Sequence, residues 1–107
     1  MEKNLKFIGS FGKAIESLKA GKAVQRKGWN GKGMFVVKQV PAHIDETIIP
    51  KMQSLPQAAK DLIMSRENKF IDYTNQMLII NPNGRADSWL PSSSDVFAED
   101  WFELETL

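Results

Sequence analysis

The chain has 107 residues, a length that fits one domain with a modest core, and one that association between subunits would enlarge. Fourteen basic residues against thirteen acidic ones leave a net charge of +1, so nothing global attracts a nucleic acid or a membrane surface. The absence of cysteine excludes disulfide scaffolds, thiolate zinc sites and cysteine nucleophiles.

The first segment, "MEKNLKFIGSFG", has no long apolar region and no small-residue cleavage site, so no signal peptide is expected. No apolar run is long enough to span a bilayer, and the expected compartment is the cytosol. "SFGKAIESLKAG" predicts a short amphipathic helix, capped by Ser10 and stopped by Gly21, with Phe11, Ala14, Ile15 and Leu18 on one stripe. "KAVQR" predicts a short strand. "KGWNGKG" then breaks the chain through three glycines, and "MFVVKQV" follows as a strand expected to be covered on both faces.

From Pro41 to Pro50 the pattern is mixed, and "DET" suggests one helical turn ended by Pro50. In "SLPQAAKDLIMSRENK", Ser54 and Gln57 have capping-box spacing and Pro56 suits a first turn. Leu55, Ala58, Ala59, Leu62 and Ile63 form the apolar stripe of that helix, and Arg66 lies near its C-terminal end. "FIDYT" and "QMLII" are strand candidates with Asn75 at a bend between them, and "NPNG" is a tight hairpin turn. "RADSWLPS" reads as an edge strand because Pro91 cannot donate to a ladder. "SSDVFAED" suggests a capped turn or short helix and "WFELE" a closing strand. Together these predict a single α+β domain over residues 1–107, a small antiparallel sheet with an N-terminal helix and a middle helix packed on it.

Two segments carry binding chemistry. In "RKGWNGKGM" the tryptophan Trp29 stands among Gly28, Gly31 and Gly33, with Asn30 and Lys32 beside it. A loop tryptophan is either packed into the core or kept available for a ligand, and the residue pattern leaves both open. An indole face, close backbone N–H groups, an amide and a cation suit a nucleotide-like ligand. The spacing is not that of a Walker loop. In "DSWLPSSSD", Trp89 precedes three serines and Asp95, whose polar groups suit ribose hydroxyls or a helix cap near Ser94 or Asp95. Glu99, Asp100 and the lone His43 read as solvated surface groups. Ser92, Ser93 and Ser94 lack the context of a nucleophilic serine, and no acid–base, metal or cofactor site assembles.

The paired segments "FGKAIESLKAGKAVQRKGWNGKGMFV" and "WLPSSSDVFAEDW" resemble the Thoeris anti-defence 2 family of phages and prophages. The resemblance covers about residues 10–40 and 76–104, and the middle helix is similar to that of the longer members. It implies a non-enzymatic sponge in the cytoplasm of the infected bacterium. Such a protein binds the cyclic ADP-ribose isomers, such as glycocyclic ADP-ribose, made by TIR-domain enzymes, and some members also bind cyclic dinucleotides at a separate site. It further implies a homo-oligomer, typically a tetramer, with pockets between subunits. Residue by residue, the ligand-binding positions carried over are Trp29, Asn30, Gly31, Lys32, Gly33, Met34, Trp89, Ser92 and Asp95. Two alternatives remain in view: an enzyme hydrolysing a nucleotide second messenger, and an interaction module that blocks a host factor.

Overall fold

A computed structural model describes residues 3–29 and 33–106. The elements run β1 (Lys3–Gly9), α1 (Phe11–Lys19), β2 (Ala23–Arg26), β3 (Phe35–Lys38), β4 (Ala42–Ile44), α2 (Gln57–Met64), β5 (Ile71–Tyr73), β6 (Met77–Ile80), β7 (Ala86–Ser88), α3 (Ser93–Phe97) and β8 (Trp101–Thr106). Single 3-10 turns occupy Lys27–Trp29 and Ile49–Lys51. The class is α+β, as expected, and every strand pairing is antiparallel. The chain divides into two compact units, one formed by Met1–Gln39 with Gln76–Leu107 and the other by Val40–Asn75.

The first unit is a six-stranded sheet in the order β1-β8-β2-β3-β6-β7. One face receives α1. The Ser10 hydroxyl accepts the Lys13 N–H at 3.3 Å, and Gly21 follows the helix with φ +83°, so both ends form where the sequence places them. Ala14 and Leu18 bury against Val24, Val36 and Trp101, and Phe11 and Ile15 pack around them. Because side chains alternate along a strand, Trp101 and Glu103 share the helix-facing side of β8. Ser17 donates its hydroxyl to the buried Glu103 carboxyl group at 2.7 Å, so this buried polar group has a hydrogen-bond partner.

Two findings in this unit differ from the sequence expectations. The strand β1 was not foreseen; it pairs with β8 from Lys3↔Thr106 to Gly9↔Trp101, so "WFELE" becomes an interior strand between β1 and β2. On β3 only Val36 is buried, and Phe35 and Val37 on the opposite face are half-buried, so coverage of that face is incomplete. The "NPNG" turn and the edge position of β7 stand as expected. Gly84 has φ +88° and its N–H donates to the Asn81 carbonyl at 2.9 Å.

In the second unit, β4 and β5 form a two-stranded sheet in which His43 lies opposite Asp72. The "DET" segment starts one turn, as expected: the Asp45 carbonyl accepts the Ile48 and Ile49 N–H groups, both at 3.1 Å. Asp45 accepts the Thr47 hydroxyl at 2.6 Å and the Thr47 N–H at 3.0 Å, closing an Asx turn. The Thr47 hydroxyl bond is the main cause that holds the Asp45 carboxyl below its ordinary range. Pro50 then lies inside the following 3-10 turn rather than ending one.

The middle helix is present, but its cap differs from the expected box. Pro56 stands at the N-cap with no side-chain bond, and Gln57 reaches forward to Asp61 at 2.9 Å. Of its stripe, Leu55, Ala59 and Ile63 are half-buried, whereas Ala58 is exposed and Leu62 is 65% exposed.

Candidate aromatic ligand site

The chain leaves β2 in a tight turn because of what its backbone meets. Arg26 ends β2, and the chain turns through Lys27–Trp29 in one 3-10 turn. Asp100 fixes that turn: its carbonyl accepts the Lys27 N–H at 3.0 Å and its Oδ2 accepts the Gly28 N–H at 2.7 Å. A Cβ at Gly28 would stand 2.9 Å from Asp100 Oδ2 and 3.1 Å from Arg26 Nη2, so only glycine lets backbone and carboxylate approach this closely.

The turn delivers Trp29 to an aromatic cluster. Its ring meets Trp101 edge to face at 5.4 Å and Trp89 at 6.1 Å, while Trp89 meets Trp101 at 6.2 Å. Phe11 of α1 lies 5.3 Å from Trp101 and 6.4 Å from Trp89. Trp101 is fully buried, and Trp29 and Trp89 are half-buried around it. The loop tryptophan is therefore both things at once, a partial core residue with surface left over. Such tilted and edge-on pairs contribute about 0.5–1.5 kcal/mol each beyond the area they bury.

The second segment is organised by a capping box. Ser92, not Ser94 or Asp95, is the N-cap of α3. Its hydroxyl accepts the Asp95 N–H at 3.2 Å, and Asp95 Oδ2 accepts the Ser92 N–H at 2.9 Å. The Asp95 carbonyl takes the Trp101 indole N–H at 3.0 Å, which ties this short helix to the core.

Arg26 joins the two segments. Its Nη1 donates to Asp95 Oδ1 at 2.8 Å and its Nε to Asp100 Oδ1 at 2.9 Å, with the guanidinium side chain 18% exposed. Both hydrogen bonds, that to Asp100 before that to Asp95, raise the Arg26 pKa further. For Asp95 the largest single influence is burial, which opposes ionisation. The Ser92 N–H, Arg26 and the Ser92 hydroxyl together outweigh it and hold the carboxyl below its ordinary value. Asp100 is likewise pushed up by burial but brought below its ordinary value by Arg26 and the Gly28 N–H. Both stay ionised at neutral pH. Asp100 is thus not the solvated group expected from the sequence: it precedes β8 rather than lying in a strand, and it turns inward. Glu99 is exposed, and the exposed His43 pairs with Asp72 at 2.6 Å.

Of the ligand-binding positions carried over from the resemblance, Trp29, Trp89, Ser92 and Asp95 belong to this connected assembly. Gly33 has φ +78°, and a Cβ there would stand 3.1 Å from Pro82 Cγ, so it lies against the β6–β7 turn. Met34 is half-buried. Asn30, Gly31 and Lys32 lie outside the described residues. Beyond Pro82 an open groove of about 570 Å³ is lined by Asn81, Asn83, Arg85 and Asp87. Arg85, with its side chain 72% exposed, pairs there with Asp87 at 3.0 Å. Sequence reasoning did not single out Arg26. Arg26 had one signal, its place directly before the glycine-rich loop. Among the described residues no helix is long and apolar enough to cross a membrane.

A family model described as a Thoeris anti-defense 2-like domain matches residues 9–104. The chain is also 34% identical over 98 residues to a protein of Bacillus phage SP01 named Thoeris anti-defense 2, covering 86% of this chain and 90% of the relative. The family match spans both segments that build the aromatic site, and the chain belongs to the Thoeris anti-defence 2-like family.

Proposed function

We propose that this protein is a sponge for nucleotide second messengers, binding cyclic ADP-ribose isomers such as glycocyclic ADP-ribose and withholding them from a Thoeris effector. Family membership supports the anti-defence role. The observation that carries the finer reading is the convergence of Trp29 and Trp89, from distant segments, on one partly open aromatic cluster. An indole with exposed surface offers a stacking plane for a base, worth about 1–3 kcal/mol per base.

In this reading Trp29, Asn30, Gly31, Lys32, Gly33 and Met34 contribute ligand contacts from one segment, and Trp89 with Ser92 from the other. Asp95 supports them from behind, since both its carboxylate oxygens already serve Ser92 and Arg26. Lys32 and loop N–H groups take the pyrophosphate, because the net charge of +1 supplies no general attraction for it. The protein binds its ligand without converting it, in the cytoplasm of the infected bacterium. Residues 1–107 act as one ligand-binding domain.

A chain of this size has little room to enclose two riboses and a pyrophosphate, so the pocket is completed by a second copy, within a tetramer built of dimers. A separate site for cyclic dinucleotides is compatible with this assembly. Equilibrium dialysis against a panel of cyclic nucleotides, with light scattering of the same samples, tests the reading. Saturable retention of a cyclic ADP-ribose isomer by an oligomer is expected. Retention of none removes the sponge, and a monomer binding one ligand per chain at full affinity removes the shared pocket.

A further inference from the structure

The two segments that meet in the aromatic cluster are far apart in the chain, yet one side chain reaches both. Arg26 donates through Nε to Asp100 and through Nη1 to Asp95, partners 74 and 69 residues away. Each carboxylate then uses its other oxygen on the backbone of one loop. Asp100 Oδ2 holds the Gly28 N–H at 2.7 Å, immediately before Trp29. Asp95 Oδ2 holds both the N–H and the hydroxyl of Ser92 at 2.9 Å, three residues beyond Trp89. The chain of bonds runs without a gap from one motif loop to the other.

The chemistry of the link demands arginine. A planar guanidinium presents donors on separate edges at fixed angles and can therefore set the separation of two carboxylates. A lysine ammonium is a point charge on a flexible stem and serves one carboxylate well or two poorly. Arg26 is also backed by the loop it serves, with Nη2 lying 3.1 Å from where a Cβ at Gly28 would stand. With its side chain 18% exposed, it is placed to act on the loops.

We propose that Arg26 is a positioning residue that couples the Trp29 loop to the Trp89–Ser92 loop through Asp100 and Asp95, and thereby sets ligand affinity through their spacing. The claim about affinity rests on the ligand-binding reading above; the coupling does not. If the two loops were held independently, breaking the Asp100 end would free Gly28 and leave Ser92 as it was. Coupled loops loosen together.

The test uses the full chain in three forms: wild type, Arg26→Lys and Asp100→Asn. Amide hydrogen exchange without ligand reads the Gly28 and Ser92 N–H groups, with the Val24 and Val36 amides as a measure of the intact sheet. Titration with cyclic ADP-ribose reads affinity. In both variants Gly28 and Ser92 should exchange faster together, while Val24 and Val36 stay protected. Affinity should fall about tenfold, equivalent to about 1.4 kcal/mol. Asparagine at position 100 keeps the shape of the side chain, so it decides the matter if Arg26→Lys fails to fold. A Ser92 amide unchanged in Asp100→Asn overturns the coupling. Lost affinity with both amides unchanged overturns the positioning role and makes Arg26 a direct contact. If wild type does not bind cyclic ADP-ribose, the ligand reading fails, and the exchange experiment still decides the coupling.

Discussion

Trp29 and Trp101 meet edge to face, their centroids 5.4 Å apart and their planes at 79°. Trp101 is wholly buried and Trp29 only partly, so the pair marks the point where core becomes surface. A substitution at Trp29 must therefore act on stability and on binding at once. Trp29→Ala should lower stability by about 1–3 kcal/mol, less than the full cost of truncating a buried tryptophan, and weaken cyclic nucleotide binding by about 1–3 kcal/mol. Trp29→Phe should restore most of the stability. Denaturant unfolding with calorimetry on both variants measures the two effects separately. Unchanged stability in Trp29→Ala would show that the edge contacts are energetically idle.

Gly33 is constrained twice, by φ +78° and by Pro82 Cγ, which stands 3.1 Å from where a Cβ would lie, whereas Gly21 has φ +83° with no atom within 4 Å. Gly21→Ala should therefore cost only the left-handed penalty of about 1 kcal/mol, and Gly33→Ala clearly more. Equal losses in urea unfolding would mean that the Pro82 contact relaxes freely.

Acid should unlock the Arg26 network. Asp95 and Asp100 both have pKa values depressed in the fold, so the unfolded chain binds protons before the folded one does. Their stabilisation is complete above the ordinary carboxylate value of about 3.9 and is lost as pH falls through the lower folded values. Thermal melting between neutral pH and strong acid should show a decline beginning near pH 4, and Asp95→Asn together with Asp100→Asn should flatten it. A decline of the same slope in that double variant would place the acid sensitivity elsewhere.

Lys32 carries the charge argument. If it neutralises a pyrophosphate, Lys32→Glu should weaken binding more than Lys32→Gln, and wild-type affinity should fall as salt rises. Three proteins of equal affinity would remove this side chain from the site.

Features with local chemistry were legible in the sequence. Ser10, Gly21 and the "NPNG" turn each satisfy backbone groups within a few residues, and all three formed as expected. Where local signals compete, sequence reading failed. Ser54 had the spacing of a cap, but the helix begins at Gln57 behind Pro56. Pro50 did not end the turn that Asp45 starts but lies inside the 3-10 turn Ile49–Lys51 that follows it. "KNLKFIG" shows little by itself, since β1 is defined by pairing with β8 at the other end of the chain. The site divides in the same way. Its aromatic residues could be named from two segments, but Arg26, Asp95 and Asp100 are bonded across 74 and 69 residues, a separation no local pattern encodes.

The central claim is sequestration without conversion. Incubating the protein with a cyclic ADP-ribose isomer, removing unbound ligand, denaturing by heat and identifying what is released by chromatography tests it most directly. The account predicts that the isomer is retained and returned chemically intact. Release of a hydrolysed product would make the protein an enzyme, and retention of nothing would leave the aromatic site without this ligand.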